Sequence, residues 1–166
     1  MFELGIAVRS RRRDMGLTQV ALARLSGLSR ATVNQIENGT AKELGLARAS
    51  RLLSEIGLSL DIAAPRPLPG RADSSRSSAL DLAARTASVS YRVPISADQI
   101  GAALSTGTVP TGLRPHMHTL LDEAPVSLLA SVAEQLHAAL GTDRAEVWRT
   151  MRALARESRS SRGLWR

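Results

Sequence analysis

Residues 17–39, with the sequence LTQVALARLSGLSRATVNQIENG, decide how the first part of this chain folds. Thr18 is a favourable N-cap, and apolar residues follow it at helical spacing until Gly27, a residue type that often ends a helix. The pattern begins again with Ser29 as a second N-cap and ends at Gly39. The sequence therefore predicts two short helices joined by a tight turn.

The second of these helices carries polar side chains that match the edges of DNA bases. A guanidinium at Arg30 can pair bidentately with guanine, and an amide at Gln35 can pair with adenine. Ala31 and Thr32 can meet a thymine methyl group. Arg30 has an alternative role as a phosphate contact, and Asn34 is expected to face the DNA backbone. The pattern is typical of a helix that reads DNA.

Several spaced motifs around these helices are shared with one known family. They are an arginine-rich helix ending at Gly16, Leu-Thr-Gln at 17–19, Gly-Leu-Ser at 27–29 and Ile-Glu-Asn-Gly at 36–39. Through them, residues 4–57 resemble the helix-turn-helix domain of the Cro/C1-type (XRE-like) repressors. The resemblance covers about a third of the chain. It implies a DNA-binding repressor whose third helix enters the major groove.

The resemblance also assigns roles to polar residues around the third helix. Gln19 begins the second helix, where the helix dipole adds to a phosphate contact. The expected phosphate contacts are Gln19, Asn34, Asn38, Thr40 and, from the basic first helix, Arg11. Arg12 and Glu37 match the positions of a buried salt bridge between the first and third helices, which is a structural role. The alternative for the basic first helix is a solvated face.

Residues 58–62 alternate apolar and polar side chains, which is the periodicity of a strand. Leu58, Leu60 and Ile62 form its apolar side. A lone strand has no partner within a helical unit, so we expect it to pair with the same strand of a second chain. Some antitoxin members of the family have this arrangement, whereas others dimerise through a fifth helix. The alternative is an irregular extended exit from the domain.

Composition divides the chain into four segments. Residues 1–62 form the DNA-binding domain with its dimerising strand. Residues 63–78 contain three prolines and four serines with almost nothing to bury, and therefore predict a flexible linker. Residues 79–157 show helical periodicity and predict a small helical interaction domain. Residues 158–166 are expected to form a loose basic tail. The predicted fold class is all-α with one short strand.

Local signals place three helices of the second half. Ser96 and Gln99 form a capping box that opens one of them. Apolar residues recur at helical spacing from Val126 to Leu140, and Thr142 is the expected N-cap of the last helix. These helices are short and interrupted by proline and glycine, which favours a protein-interaction module.

The charge of the chain is concentrated at its two ends. The formal net charge is +7, and 21 of the 22 basic residues are arginine. By segment the charge is +3 over residues 1–62, +2 over 63–78, −2 over 79–142 and +4 over 143–166. A basic balance favours a polyanionic partner such as DNA, although arginine use also follows the base composition of a genome.

Catalytic and metal-binding patterns are missing from the sequence. Without cysteine, neither a disulfide framework nor a cysteine zinc site is possible. His116 and His118 lie two residues apart, so on a helix they point to different faces, and His137 is distant. The adjacent Asp122 and Glu123 also point to different faces of a helix. With no phosphate-binding loop and no nucleophile elbow, we expect no enzyme, no metal and no cofactor.

No apolar run in the sequence is long enough to cross a bilayer, and the sequence shows no secretory signal pattern. We therefore expect a cytoplasmic protein with no membrane partner. Aromatic residues are few, which disfavours a base-stacking platform for single strands.

These features predict an autoregulating antitoxin of a toxin–antitoxin pair. The expected partners are a palindromic double-stranded DNA operator, a second copy of the chain, and a toxin protein bound by residues 79–157. The overall organisation is similar to regulators encoded beside a toxin, particularly nucleotidyltransferase-type toxins of abortive-infection systems. One alternative is a stand-alone dimeric repressor whose C-terminal domain senses a ligand. Another is an interaction protein that neutralises a partner and binds DNA only incidentally.

Overall fold

The computed structural model describes residues 2–60 and 78–165, and every regular element in these two ranges is helical. The helices are α1 (Phe2–Asp14), α2 (Gln19–Ser26), α3 (Arg30–Glu37), α4 (Leu46–Glu55), α5 (Ala79–Ser88), α6 (Ala97–Thr106), α7 (Arg114–Glu123), α8 (Val126–Leu140) and α9 (Arg144–Glu157). Two short 3-10 turns cover Thr111–Leu113 and Gly163–Trp165. The predicted helical class is confirmed for this part of the chain.

Short polar residues begin α2 and α3, as the sequence predicted. The Oγ1 atom of Thr18 accepts a hydrogen bond from the backbone N–H of Ala21 at 3.0 Å. The Oγ atom of Ser29 accepts one from the N–H of Thr32 at the same distance. Gly27 ends α2 with φ of 68°, in the left-handed region that glycine adopts without strain. The turn geometry is therefore set by local sequence.

Three helix starts in the rest of the chain test the sequence reading. The capping box of Ser96 with Gln99 is present at the start of α6. A second capping box, which the sequence reading missed, opens α5 at Ser78. The predicted cap of α9 was wrong by one residue, because the side chain of Asp143 accepts the backbone N–H of Ala145 there.

The first four helices bury one side of each helix against the others. α1 packs on α3, and α2 packs on both α3 and α4. The fully buried side chains at the centre of this group are Val8, Met15, Leu22, Val33, Ile36, Leu52 and Ile56. Burial of each large apolar side chain contributes roughly 1.5–3 kcal/mol relative to its exposure. This packing orients α3 with its polar side outward.

The last five helices form a second group that packs against the first. α5 contacts α6, α7 and α8, while α9 contacts α6, α7 and α8. The two groups meet where α1 lies on α9 and where α4 lies on α8. A Cβ atom at Gly57 would lie 2.9 Å from the carbonyl oxygen of Val126, so the chain after α4 approaches α8 as closely as glycine allows. Arg152 on α9 donates hydrogen bonds to the carbonyl oxygens of Met15 and Gly16 after α1.

The strand predicted over residues 58–62 is not seen. Leu58 and Leu60 lie in an irregular segment after α4, and Ile62 falls outside the described residues. A strand needs a hydrogen-bonding neighbour, and the prediction assigned that neighbour to a second chain. The predicted linker, apart from Ser78, also lies outside the described residues.

The end of the chain is packed, in contrast to the loose tail that was expected. Leu164 and Trp165 are buried, and the indole N–H of Trp165 donates to the carbonyl oxygen of Leu121 at 3.0 Å. The ring of Trp165 lies 6.2 Å from that of Trp148. Arg162 donates to the carbonyl oxygen of Ala124 at 2.6 Å. Burial of two large apolar side chains compensates the cost of ordering these last residues.

Candidate nucleic-acid interface

The outer side of α3 presents most of the residues predicted to contact bases. Arg30, Ala31 and Gln35 are exposed, and Thr32 is half-buried beside its capping contact with Ser29. The opposite side of α3 is held in the core by Val33 and Ile36. A helix fixed in this way leaves its outer side open to solvent. Its diameter of about 10–12 Å fits the major groove of about 12 Å.

Glu37 at the end of α3 accepts hydrogen bonds from two other helices. Arg12 on α1 donates from Nε to Oε1 at 2.5 Å and from Nη2 to Oε2 at 2.9 Å. Gln19 on α2 donates from Nε2 to Oε2 at 3.0 Å. Burial by itself would raise the pKa of Glu37, but the hydrogen bonds from Arg12 and Gln19 and the charges of Arg12 and Arg9 outweigh it, so the pKa lies below its usual value. A single buried carboxylate thus ties α1, α2 and α3 together.

Three of the residues predicted to contact phosphate lie side by side along the second half of α3. Nε2 of Gln19 lies 3.3 Å from Oδ1 of Asn34, which also accepts from Nδ2 of Asn38 at 3.1 Å. Oδ1 of Asn38 in turn accepts from Arg9 at 2.6 Å. The sequence reading did not single out Arg9, although it lies three residues before Arg12 on α1. Both N–H groups of Gln19 are used within the protein, so the donors that this polar strip offers to a phosphate group are the amide N–H groups of Asn34 and the second amide N–H of Asn38.

The remaining two predicted phosphate contacts lie in different places. Thr40 is exposed after α3, where its hydroxyl donates to the carbonyl oxygen of Gln35 at 3.3 Å. Arg11 points away from α3 and forms an ion pair with Glu134 of α8 at 3.2 Å. Its side chain is only 14% exposed. The structure therefore brings Thr40 to the region around α3 but does not bring Arg11 there.

Comparison with known proteins agrees with this geometry. Residues 8–62 match the family model described as helix-turn-helix. This part of the chain is a helix-turn-helix domain of the Cro/C1-type family. The match spans α2, α3 and α4 and most of α1, about a third of the chain. Neither a curated protein nor a solved structure matches the chain.

A cleft lies beside the first turn of α3 in the helix-turn-helix domain. It is formed by the α2–α3 turn and by α4, and Ser29, Thr32, Arg48 and Arg51 are among its lining residues. Sequence reasoning gave α4 only a packing role and missed both arginines. Their spacing of three residues on one helix was the available signal, since it places them on a common side.

The histidines and acidic residues of the second helical group are not gathered into a site. Nε2 of His116 lies 2.8 Å from the carbonyl oxygen of Val93, and Nδ1 of His137 lies 2.9 Å from that of Thr142. Within residues 2–60 and 78–165, no three side chains of the metal-binding types lie close enough to share an ion. In the same ranges, no helix has the length and apolar character required to cross a membrane.

Proposed function

We propose that this protein is a sequence-specific transcriptional repressor that acts as a homodimer on a palindromic operator. The family of residues 8–62 makes the chain a DNA-binding transcription regulator. The observation that carries the finer proposal is the exposed polar side of α3, where Arg30, Ala31 and Gln35 face outward beside Thr32. These side chains supply the donors, acceptors and methyl contacts needed for direct readout.

The polar strip formed by Gln19, Asn34 and Asn38 supports the same proposal. In a complex, these amides and the exposed Thr40 contact phosphates and set the register of α3 on the duplex. Arg30 and Gln35 then specify the sequence. The division matches the general rule that phosphate contacts position a protein and base contacts give specificity.

The homodimer is proposed from the segment after α4. Leu60 is 47% exposed, although it is a large apolar residue, and Leu46 at the start of α4 is 69% exposed. We propose that residues 58–62 pair with their copy in a second chain. Two such domains would place their recognition helices in half-sites about one helical turn apart, or roughly 34 Å.

The second helical group is proposed to bind a partner protein, which makes the chain the autoregulating antitoxin of a toxin–antitoxin pair. Two exposed valines support a protein-binding role: Val89 is 79% exposed and Val93 is 72% exposed, both on the connection between α5 and α6. In this proposal the protein works in the cytoplasm without catalytic activity, and the abundance of the partner controls repression.

Footprinting of the region upstream of the gene for this protein tests the repressor proposal. We expect protection of a palindromic site with half-sites about one helical turn apart. Absence of any protected site would exclude autoregulation.

Co-purification with the products of neighbouring genes tests the antitoxin proposal. In that experiment the V89D/V93D variant should no longer capture the partner protein, while its footprint on DNA should remain. L140D, which changes another exposed apolar residue, is the matched control.

A further inference from the structure

We propose that Arg48 and Arg51 of α4 form a second phosphate-binding site, beside the first turn of α3 and separate from the polar strip. This proposal rests on the proposed DNA-binding function and names a further part of the same interface. The ligand is the sugar-phosphate backbone of double-stranded DNA at the edge of the groove that α3 occupies.

The position of the cleft supports this assignment. Thr32 lines the cleft and also belongs to the residues predicted to contact bases. The guanidinium carbon of Arg51 lies 3.7 Å from the point where a Cβ of Gly27 would be, so this side chain extends over the α2–α3 turn. When the first turn of α3 enters the major groove, the groups immediately beside it meet the backbone that borders the groove.

The charge of the cleft is not neutralised by the residues that line it. Arg48 and Arg51 are exposed, and no carboxylate is among the lining residues. Within residues 2–60 and 78–165, the side chain of neither arginine forms a hydrogen bond or an ion pair. Glu55 lies four residues after Arg51 on α4, but the two side chains form no ion pair in the structure. Two uncompensated guanidinium groups in one cleft attract phosphate, which a guanidinium can bind bidentately.

The two phosphate sites lie at different ends of α3. The polar strip of Gln19, Asn34 and Asn38 follows its second half, whereas Arg48 and Arg51 flank its first turn. Contacts at both ends fix the angle at which a helix lies in the groove. The cleft therefore strengthens binding to every sequence without altering which bases are preferred.

The test compares the full-length wild-type chain with the R48A/R51A variant on two duplexes, the footprinted operator and a scrambled sequence of equal length. Affinity is measured between 50 and 200 mM salt. We expect the variant to lose roughly tenfold or more in affinity for each duplex at 0.1 M salt, and its log–log salt slope to become less negative by about 1.8. The ratio of the two affinities should stay the same. R48K/R51K should recover much of the slope, because the charge is kept.

R85A/R92A is the matched control, because it removes two exposed arginines from the other helical group. A slope change equal to that of the control would overturn the proposal. So would a loss confined to the operator, because it would assign Arg48 or Arg51 to base readout. The wild-type arm reports on the proposed function separately: equal affinity for both duplexes would contradict sequence-specific binding, while the salt slopes would still show whether the cleft binds phosphate.

Discussion

The arginines on α1 and those on α3 and α4 carry the same charge in different surroundings. Arg9 and Arg12 both lie beside the carboxylate of Glu37. Arg30, Arg48 and Arg51 are exposed and form no ion pair with another residue that the structure describes. A cation that already holds a buried carboxylate is not available for phosphate. The difference separates the arginines that hold Glu37 from exposed arginines that have no ion pair among the described residues and are left for the proposed contacts with DNA.

The largest effect is expected from R12M, which removes the main charge that compensates buried Glu37. The Glu37 side chain has no exposed surface, so its carboxylate would remain in the core with its main partner gone. The free energy of unfolding should fall by about 3–5 kcal/mol. Thermal denaturation measures this loss. R13M, at an exposed position on the same helix, is the control, and an equal change in both variants would show that the ion pair is not structural.

The pH dependence of stability sharpens the same contrast. The pKa of Glu37 in the folded protein lies below its usual value of 4.5. Its contribution to stability is therefore complete above the unfolded pKa and is lost as the pH falls through the folded pKa. Denaturant unfolding at a series of pH values should show this acid loss in the wild type and a shallower loss in R12M. Equal acid slopes in the two proteins would contradict the assignment.

Asp14 should change the pH dependence of stability in the opposite direction to Glu37. Burial raises its pKa above the usual 3.8, against the lowering effect of the nearby charges of Arg11 and Arg144. A carboxyl group whose pKa is higher in the folded than in the unfolded protein adds stability as the pH falls through the folded pKa toward the unfolded pKa. D14N removes this opposing contribution, so the acid loss of stability should become steeper in D14N than in the wild type. The same unfolding series measures it, and an unchanged slope would count against the predicted sign.

For the exposed arginines, R30A is expected to weaken operator binding by roughly 1–3 kcal/mol and to relax preference at one base pair. The reason is loss of a bidentate contact to one base. Binding to operators with single substitutions measures both effects. An equal loss on every sequence would make Arg30 a phosphate contact, the alternative that its position at the first turn of α3 also allows.

The smallest effect is expected from R11A. Its ion pair with the partly exposed Glu134 should contribute about 0.2–1 kcal/mol to stability. Burial alone would raise the pKa of Glu134, but the hydrogen bond and charge of Arg144 and the charge of Arg11 hold it below its usual value. Because this pair faces α8, operator affinity should not change in R11A. A clear loss of affinity would restore the phosphate role that the basic first helix predicted for Arg11.

Much of the helix-turn-helix domain follows from short stretches of sequence. The caps at Thr18 and Ser29, the left-handed turn at Gly27 and the apolar spacing of α2 and α3 need no information from distant residues. Such signals depend on backbone hydrogen bonding within one or two turns of helix. The same local rule predicted the capping box of Ser96 in the second helical group.

The parts that were missed depend on contacts between distant segments. Arg11 meets Glu134, and Trp165 donates its indole N–H to Leu121. Nothing in the local pattern around these residues identifies such partners, because composition and periodicity specify which side of a helix is apolar but not which helix covers it. A short, basic end of the chain therefore predicted a loose tail, although it contains two large apolar residues that the core accepts.

Sequence alone determined that residues 17–39 form two capped helices and that the second carries side chains suited to bases, because helix caps and side-chain periodicity are local properties. The tertiary structure decided which arginines remain available to DNA. It assigned Arg12 to buried Glu37 and Arg11 to α8, and it placed Arg51 over the turn before α3. Availability depends on which charges meet across the packed helices, and only the folded chain brings those charges together.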